Sequence, residues 1–340
     1  MSFIPSKTTA VYTIAIILAV AVCLFALTAG PFPISVGELI TIVRAKIFGG
    51  TSIAPIHADV VLFDIRGPRI VGAFMVGGAL AAAGAAYQNL FRNPLVSPDI
   101  LGVSSGAALG AVLGIFLMLP LFSIQAMAFA GGLIAVAAIY MIGARIRGHD
   151  PMLTLVLVGV VIGSLLGSGV ALTKYLADPY NQLPAITYWL LGSFAGISNR
   201  DLVVATPIMA IALLPLVLLR WRINLLALPD DEAHALGVNV HKLRLIVIVA
   251  ATLMTAASVA LCGMVGWVGL VVPHAVRLLV GAEFSRLLPL AILIGGTFMV
   301  AIDTIGRSIA QIEIPPGVLT AAIGTPVFIW LMMMTFRRRD

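Results

Sequence analysis

The sequence predicts an all-α integral membrane protein with about ten transmembrane helices and short interfacial helices, folded as a single transmembrane domain over residues 1–340. First, 61% of the residues are hydrophobic and 10% are charged, whereas an ordinary soluble domain carries about 25% charged residues. Second, apolar runs of about 20 residues, the length that crosses a bilayer, recur along the whole chain. Third, small residues repeat at four-residue spacing, as at Gly78 and Ala82, which lets helices approach closely in lipid.

Ten spans follow from the apolar runs and from the charges between them. They are placed at residues 11–30, 70–90, 102–120, 124–144, 152–173, 202–219, 244–262, 264–281, 288–310 and 318–336. A cytoplasmic N-terminus then puts most Lys and Arg residues inside, and the C-terminus with them. The net charge of +6 therefore reflects membrane orientation and does not indicate nucleic-acid binding. The basic residues left outside are Arg44, Lys46, Arg66, Arg69, Lys174, Arg200 and Arg307.

Two segments that are too short or too polar to span are predicted to be interfacial helices. Ser35 and Glu38 match a capping box that opens an amphipathic helix on the outer face. Its apolar residues are Leu39, Ile40, Val43 and Ile47. The second helix, on the inner face, opens at Asp230–Glu232, where acidic side chains complement the helix N-terminus. It ends at Leu236, and Gly237 suits the left-handed residue that terminates a helix.

A weak internal repeat pairs two segments of the first half with two of the second at the same offset. It matches Arg69 with Arg244 and Leu95–Pro98 with Leu270–Pro273. Because Arg69 falls outside and Arg244 inside, the two halves would have opposite topology, as in the inverted repeats of many transporters.

No enzymatic site, metal site, disulfide or cofactor is predicted. The sequence contains no G-x-x-x-x-G-K-[ST] phosphate loop, so ATP-driven work requires a partner. Gly102–Gly106 matches the G-x-S-x-G pattern of a nucleophilic serine, with His274 as the nearest intramembrane histidine, but small-residue helix packing is the favoured interpretation. Cys23 and Cys262 lie in apolar runs, where a free Cys behaves as a small hydrophobe.

Charged residues near the outer membrane surface have two interpretations each. Asp303 and Arg307 are spaced i,i+4 and can form a salt bridge; alternatively, an intramembrane Asp303 can carry a coupling proton. Arg66 and Arg69 are either anchors at the outer mouth of the second span or a basic site for an acidic partner or an anionic ligand.

Eight stretches together carry a resemblance to a known family. They are Arg66–Arg69, Gly77–Gly84, Gln88–Leu95 with Pro98, Leu101–Gly106, Tyr188–Gly196, Ala235–Gly237, Gly266–His274 with Arg277, and Pro315–Trp330. With these stretches in place, the sequence resembles the FecCD family, the permeases of ABC importers for ferric siderophores, haem and cobalamin. The resemblance covers nearly the whole chain.

The resemblance implies a homodimer of ten-span subunits in the cytoplasmic (inner) membrane of a bacterium or archaeon. It also implies two cytoplasmic ATP-binding subunits and an external substrate-binding protein, so that the chain conducts its cargo without being an enzyme. Besides these partners, the lipid bilayer is expected to contact the chain, and nucleic acid is not. The translocation path should be wide and lined mainly by apolar, Ser, Gly and Asn groups.

The resemblance also suggests three groups of site residues. Docking of the binding protein is expected at Arg66, Arg69 and Arg307. Coupling to the ATPase is expected at Asp230, Asp231, Glu232, Ala233, Leu236 and Gly237. A cytoplasmic gate is expected at Asn93, Leu95, Met152 and Leu153, where prolines break the chain at the inner ends of two spans.

Two other functions are weighed against the ATP-driven permease. A secondary transporter would be driven by an ion gradient through the chain alone, and an intramembrane protease would lose cleavage on Ser104→Ala. The residues do not separate siderophore, haem, cobalamin or a small oxyanion as the cargo.

Overall fold

A computed structural model describes residues 7–48, 56–146 and 151–337, and every regular element within these ranges is a helix. The helices are α1 Lys7–Thr28, α2 Val36–Phe48, α3 Ile56–Val60, α4 Gly67–Leu90, α5 Val103–Phe116, α6 Leu121–Arg145, α7 Pro151–Leu176, α8 Gln182–Leu191, α9 Asn199–Leu218, α10 Arg220–Asn224, α11 Asp230–Ala235, α12 Val240–Cys262, α13 Val268–Val280, α14 Phe284–Ser308 and α15 Pro316–Arg337. A π-helical turn, Val61–Arg66, joins α3 to α4, and short 3₁₀ turns precede α5 and α11. The all-α prediction is confirmed.

Each predicted span contains one of these helices. Within the described residues, eight helical segments are long and apolar enough to cross a membrane: α1, the continuous segment Ala58–Leu90, α6, α7, α9, α12, α14 and α15. The spans predicted at 102–120 and 264–281 correspond to α5 and α13, which are shorter, with 14 and 13 residues. Helix α8 lies between two predicted spans and was not predicted. The termini, residues 1–6 and 338–340, lie outside the described residues.

Small residues let α4 occupy the centre of the bundle, where it packs against α9, α12, α13 and α14. A Cβ atom built at Gly84 would lie 1.7 Å from the carbonyl oxygen of Gly269 in α13. Helices α5 and α6 cross just as closely, since a Cβ built at Gly106 would lie 2.4 Å from the carbonyl oxygen of Gly131. The packing interpretation of the Gly102–Gly106 stretch is therefore confirmed for Gly106.

We expect Gly84→Ala to destabilise the protein by about 1–3 kcal/mol or more, because the added methyl group forces α4 and α13 apart. Gly167→Ala is the matched control, since no described atom lies within 4 Å of a Cβ built at Gly167. Thermal unfolding midpoints of both variants in the same detergent test this. Equal midpoints for the two variants would contradict the close crossing.

An internal repeat is visible in the order of helix lengths. Helices α4 to α7 have 24, 14, 25 and 26 residues, and α12 to α15 have 23, 13, 25 and 22. Arg69 and Arg244 both lie near the start of the first helix of a unit. The other matched pair does not belong to the repeat, because Leu95–Pro98 precedes α5 whereas Leu270–Pro273 lies inside α13.

The capping box at the start of α2 is confirmed. The Ser35 amide donates to Glu38 Oε2 at 2.8 Å, and the Glu38 amide donates to Ser35 Oγ at 3.2 Å. The Ser35 amide and the Ser35 hydroxyl both donate to Glu38 Oε2 and thereby lower the pKa of Glu38. Of the predicted apolar residues, Leu39 is buried together with Ile42, whereas Ile40, Val43 and Ile47 are exposed.

Candidate functional site

Arg69, near the start of α4, lies between two carboxylates. Its Nε and Nη2 donate to Asp303 in α14 at 2.8–3.0 Å. Its Nη1 and Nη2 donate to Glu313, in the loop between α14 and α15, at 2.9 and 2.8 Å. The Asp303 side chain is 2% exposed, whereas that of Glu313 is 35% exposed. Arg69 therefore has one deep and one shallow acidic partner.

Arg66 and Arg307 bind the C-terminal end of α1. Arg66 Nη1 donates to the Leu27 carbonyl at 2.6 Å, and its Nη2 donates to the carbonyl of Phe32. Arg307 donates to the carbonyls of Ala26 and Ala29. Carbonyl groups at a helix C-terminus lack helical partners and carry partial negative charge, so two guanidinium groups are well placed there.

We call Arg66, Arg69, Asp303, Arg307 and Glu313 the outer cluster. The structure brings the three predicted docking arginines together, but it does not present them as an exposed basic patch. Their relative exposures are 4%, 8% and 4% for Arg66, Arg69 and Arg307. The physical reason is that acceptors within the chain hydrogen-bond to each of these guanidinium groups, which lowers the cost of burying them.

Two features of the outer cluster were not predicted. Asp303 lies 3.7 Å from Arg307 Nε, so the predicted i,i+4 pair exists, but its hydrogen bonds go to Arg69. The pairing of Arg69 with Asp303 cannot be predicted from spacing, because the two residues are 234 positions apart. Glu313 was missed although a signal was available, because it is the only acidic residue between the last two predicted spans.

Helix α11 is a short acidic helix whose end was predicted correctly. Gly237 has φ +80°, and the amides of Gly237 and Val238 donate to the carbonyls of His234 and Ala233 at 2.9 and 3.1 Å. This pair of bonds is a Schellman motif. Of the predicted coupling residues, Ala233 is buried, whereas the exposed ones are Asp231, Glu232, Leu236 and Gly237. These four residues form a surface that a partner can contact.

Asp230, the first residue of α11, is held by two arginines. Arg244 in α12 donates to both of its oxygens at 2.8 and 2.7 Å, and Arg92 donates to Oδ1 at 2.9 Å. Partial burial opposes ionisation of Asp230, but the hydrogen bonds and charges of Arg244 and Arg92 lower its pKa below the ordinary value. The carboxylate therefore stays ionised at neutral pH.

The predicted gate residues lie on two adjacent segments. Asn93 and Leu95 form a tight turn in which the Leu95 amide donates to Asn93 Oδ1 at 2.9 Å. Leu95 and Leu153 are 46% and 54% exposed, whereas Met152 packs against the core. Pro151 is the first residue of α7 and not part of a turn, because proline fits the first helical position.

The 3₁₀ turn Pro98–Leu101, which follows Asn93 and Leu95 in the chain, packs against α7, which begins with the other gate segment. A Cβ built at Gly159 in α7 would lie 2.3 Å from the carbonyl oxygen of Ile100, so the turn rests directly on α7. The turn that follows Leu95 and helix α7, which contains Met152 and Leu153, are therefore in direct backbone contact.

Ser104 does not have the surroundings of a catalytic nucleophile within the described ranges. Its hydroxyl donates to Asp99. His274 lies in α13 with its ring 6.1 Å from that of Phe328 in an edge-to-face arrangement, and neither ring nitrogen has a hydrogen-bond partner among the described residues. The Ser–His pair on which proteolysis would depend is thus not formed here.

A cavity of about 520 Å³ lies between the turn that joins α5 to α6, helix α8 and the end of α12. Its polar side chains are Gln125, Asn181, Gln182, Tyr188, Trp189 and Ser193, and the other lining residues are mainly apolar. None of the lining residues carries a formal charge, so the walls can contact a ligand only through apolar and neutral polar groups. The sequence did not indicate this cavity because α8 was not predicted.

A family profile, several relatives and a solved structure all match this chain over most of its length. The sequence profile of the FecCD transport family matches residues 17–334. The molybdate import system permease protein MolB of Haemophilus influenzae is 38% identical over 312 residues, which cover 92% of each chain. The cobalamin import system permease protein BtuC of Halobacterium salinarum is 42% identical over 280 residues, 82% of this chain and 74% of that one.

A further relative and a solved structure extend the comparison. The hemin transport system permease protein HmuU of Yersinia pestis is 37% identical over 286 residues, 82% of this chain and 84% of that one. A solved metal-chelate type ABC transporter in an inward-facing conformation superposes with a TM-score of 0.86 at 35% identity, covering 96% of this chain and 99% of that one.

Proposed function

The chain belongs to the FecCD transport family, whose members are transport components and not enzymes. On this basis we propose that it forms the path for an iron or other metal chelate in an ABC importer. The observation that carries the proposal is the match of both sequence and fold over nearly the full chain. Relatives named for molybdate, cobalamin and hemin share this fold family. We propose a siderophore, haem or cobalamin complex as the cargo, with a small oxyanion such as molybdate as the alternative.

The proposed assembly contains a second copy of this chain, two ATP-binding subunits and a substrate-binding protein. The absence of a phosphate loop from the sequence supports a separate ATPase. Helices α1, α7 and α15 are weakly buried within one subunit, and such apolar faces are available for contact with lipid or with a second copy. The excess of basic residues inside supports insertion in a cytoplasmic membrane with both termini cytoplasmic.

Transport into proteoliposomes tests the proposal. The complex should take up a ferric siderophore, haem or cobalamin only with its binding protein and ATP, and molybdate serves as the oxyanion comparison. Uptake that is driven by a proton gradient without ATP would instead identify an ion-coupled transporter.

We propose that the exposed face of α11 docks the ATPase, with Asp231, Glu232, Leu236 and Gly237 at the surface and Ala233 beneath them. Gly237→Val should cost about 1 kcal/mol or more, because a β-branched residue resists the left-handed conformation. We expect reduced stimulation of the ATPase by cargo. Gly237→Asn is the control, since Asn tolerates this conformation, and equal loss in both variants would contradict the conformational explanation.

We propose that Asn93, Leu95, Met152 and Leu153 form the cytoplasmic gate of a dimer. In a background without Cys23 and Cys262, cysteines introduced at Asn93 or Met152 should cross-link between subunits and block transport. Cross-linking yield and uptake are measured with and without nucleotide. Absence of a cross-link in every nucleotide state would place the constriction elsewhere.

A further inference from the structure

Arg92 connects the end of α4 to the segment that leads into α11. Its Nε donates to the Leu226 carbonyl at 2.8 Å, and its Nη2 donates to the Leu228 carbonyl and to Asp230 Oδ1, the latter at 2.9 Å. One turn earlier in α4, Asn89 donates to the Ile223 carbonyl at 2.8 Å. The chain from α10 to α11 is thus hydrogen-bonded to the end of α4 at four acceptors.

The backbone of Arg92 is unusual and lies next to the proposed gate. Its φ is +52°, a left-handed conformation that costs a non-glycine residue free energy unless its surroundings hold it. Asn93 follows directly, and its amide donates to the Gln88 carbonyl at 3.1 Å. Because Arg92 directly precedes the tight turn Asn93–Leu95, we expect a displacement of Arg92 to shift this turn.

Asp230 completes the connection on the α11 side. It accepts from Arg244 through both oxygens while it accepts from Arg92, and a carboxylate shared by two guanidinium groups is held more rigidly than one in a single exposed pair. The Arg244 side chain is 13% exposed, whereas those of Arg92 and Asp230 are 38% and 43% exposed. Arg244 in α12 is therefore the buried member of this connection, whereas Arg92 and Asp230 are the accessible members on the side of the cytoplasmic partner.

We propose that Arg92 is a positioning residue that transmits movement of α11 to the gate turn at Asn93–Leu95 through Asp230. This inference rests on the proposed roles of α11 and of the gate. It assigns a function to a residue that touches neither the cargo nor the exposed face of α11. Binding of the ATPase to that face moves α11, and the shared carboxylate carries the movement to the end of α4.

Arg92→Asn tests the link, because Asn tolerates the left-handed backbone but is too short to reach the three acceptors. Asp230→Asn removes the charge at the other end. Each variant should lower the transport per ATP hydrolysed about tenfold, and in Arg92→Asn the binding of the ATPase subunit should stay within twofold of the parent. The double variant should lose less than the sum of the two single losses, because both substitutions remove the Arg92–Asp230 interaction. Arg286→Asn is the control, since it breaks an exposed pair with Glu283 at 2.8 Å that is separate from α11.

A second readout separates transmission from a purely structural role. In a background without Cys23 and Cys262, the labelling rate of Leu95→Cys by a maleimide should change with nucleotide, and Arg92→Asn should abolish that change. If Arg92→Asn does not fold, Arg92→Lys serves instead, because its single ammonium group keeps the charge but cannot occupy all three acceptor positions.

Three outcomes decide the matter. A normal transport-to-ATP ratio in Arg92→Asn overturns the link, and so does loss of ATPase binding in that variant, which would make Arg92 part of the docking surface. Leu236→Asp tests the proposed function separately, because Leu236 is 61% exposed on α11. Retention of ATPase binding by Leu236→Asp would remove the docking role of α11 whatever Arg92→Asn does.

Discussion

Asp303→Asn should lower the free energy of unfolding by about 3–5 kcal/mol, the cost of leaving a buried charge without its partner. Asp303 is 2% exposed and is bonded to Arg69, with Arg307 at 3.7 Å. Removal of its charge leaves Arg69 paired with Glu313, and among the described residues it leaves Arg307 without a carboxylate within 4 Å. Equilibrium unfolding of the detergent-solubilised protein measures the loss.

A second substitution provides the control for this prediction. Asp303→Asn combined with Arg307→Met restores the balance of charge in the outer cluster, so the double variant should recover part of the lost stability. Recovery has to exceed that of Arg286→Met in the same background, which removes an exposed arginine. An Asp303→Asn protein as stable as the parent would show that the carboxylate is not needed as a counter-ion.

Glu313→Gln should raise the affinity of the transporter for its binding protein roughly tenfold if Arg69 is a docking residue. Glu313 occupies two N–H groups of Arg69 at the shallow side of the outer cluster, so a carboxylate from the partner reaches Arg69 only by displacing it. Each exposed pair is worth up to about 1 kcal/mol, and a dimer removes two competitors. Affinity measured by surface binding at several salt concentrations tests this, because salt should weaken docking.

Charge reversal at Arg69 is a poor test of the same idea. Arg69→Glu would place three carboxylates together in a largely buried cluster and would damage the fold before it affected docking. Glu38→Gln is a better control, because Glu38 also lies in a predicted outer segment but its carboxylate hydrogen-bonds, among the described residues, only to Ser35. Unchanged or reduced affinity in Glu313→Gln would move the docking site away from Arg66, Arg69 and Arg307, and the exposed apolar side of α2 would be the next surface to test.

The sequence by itself determined the membrane class, the position of each span and the local ends of the helices. These features depend on interactions within a few residues. The capping box at Ser35 and Glu38 and the left-handed Gly237 are set by chain geometry over one helical turn. The family resemblance also came from the sequence, because its stretches are contiguous.

Only the tertiary structure decided how the charged residues are used. Arg69 and Asp303 are 234 residues apart, and Arg92 and Asp230 are 138 apart, so neither pair has a spacing that a helix or turn could reveal. Burial of the three outer arginines likewise depends on which carbonyl groups the end of α1 brings to them. Such partners are selected when helices pack, because a buried charge is tolerated only where packing supplies its counter-ion or hydrogen-bond acceptor.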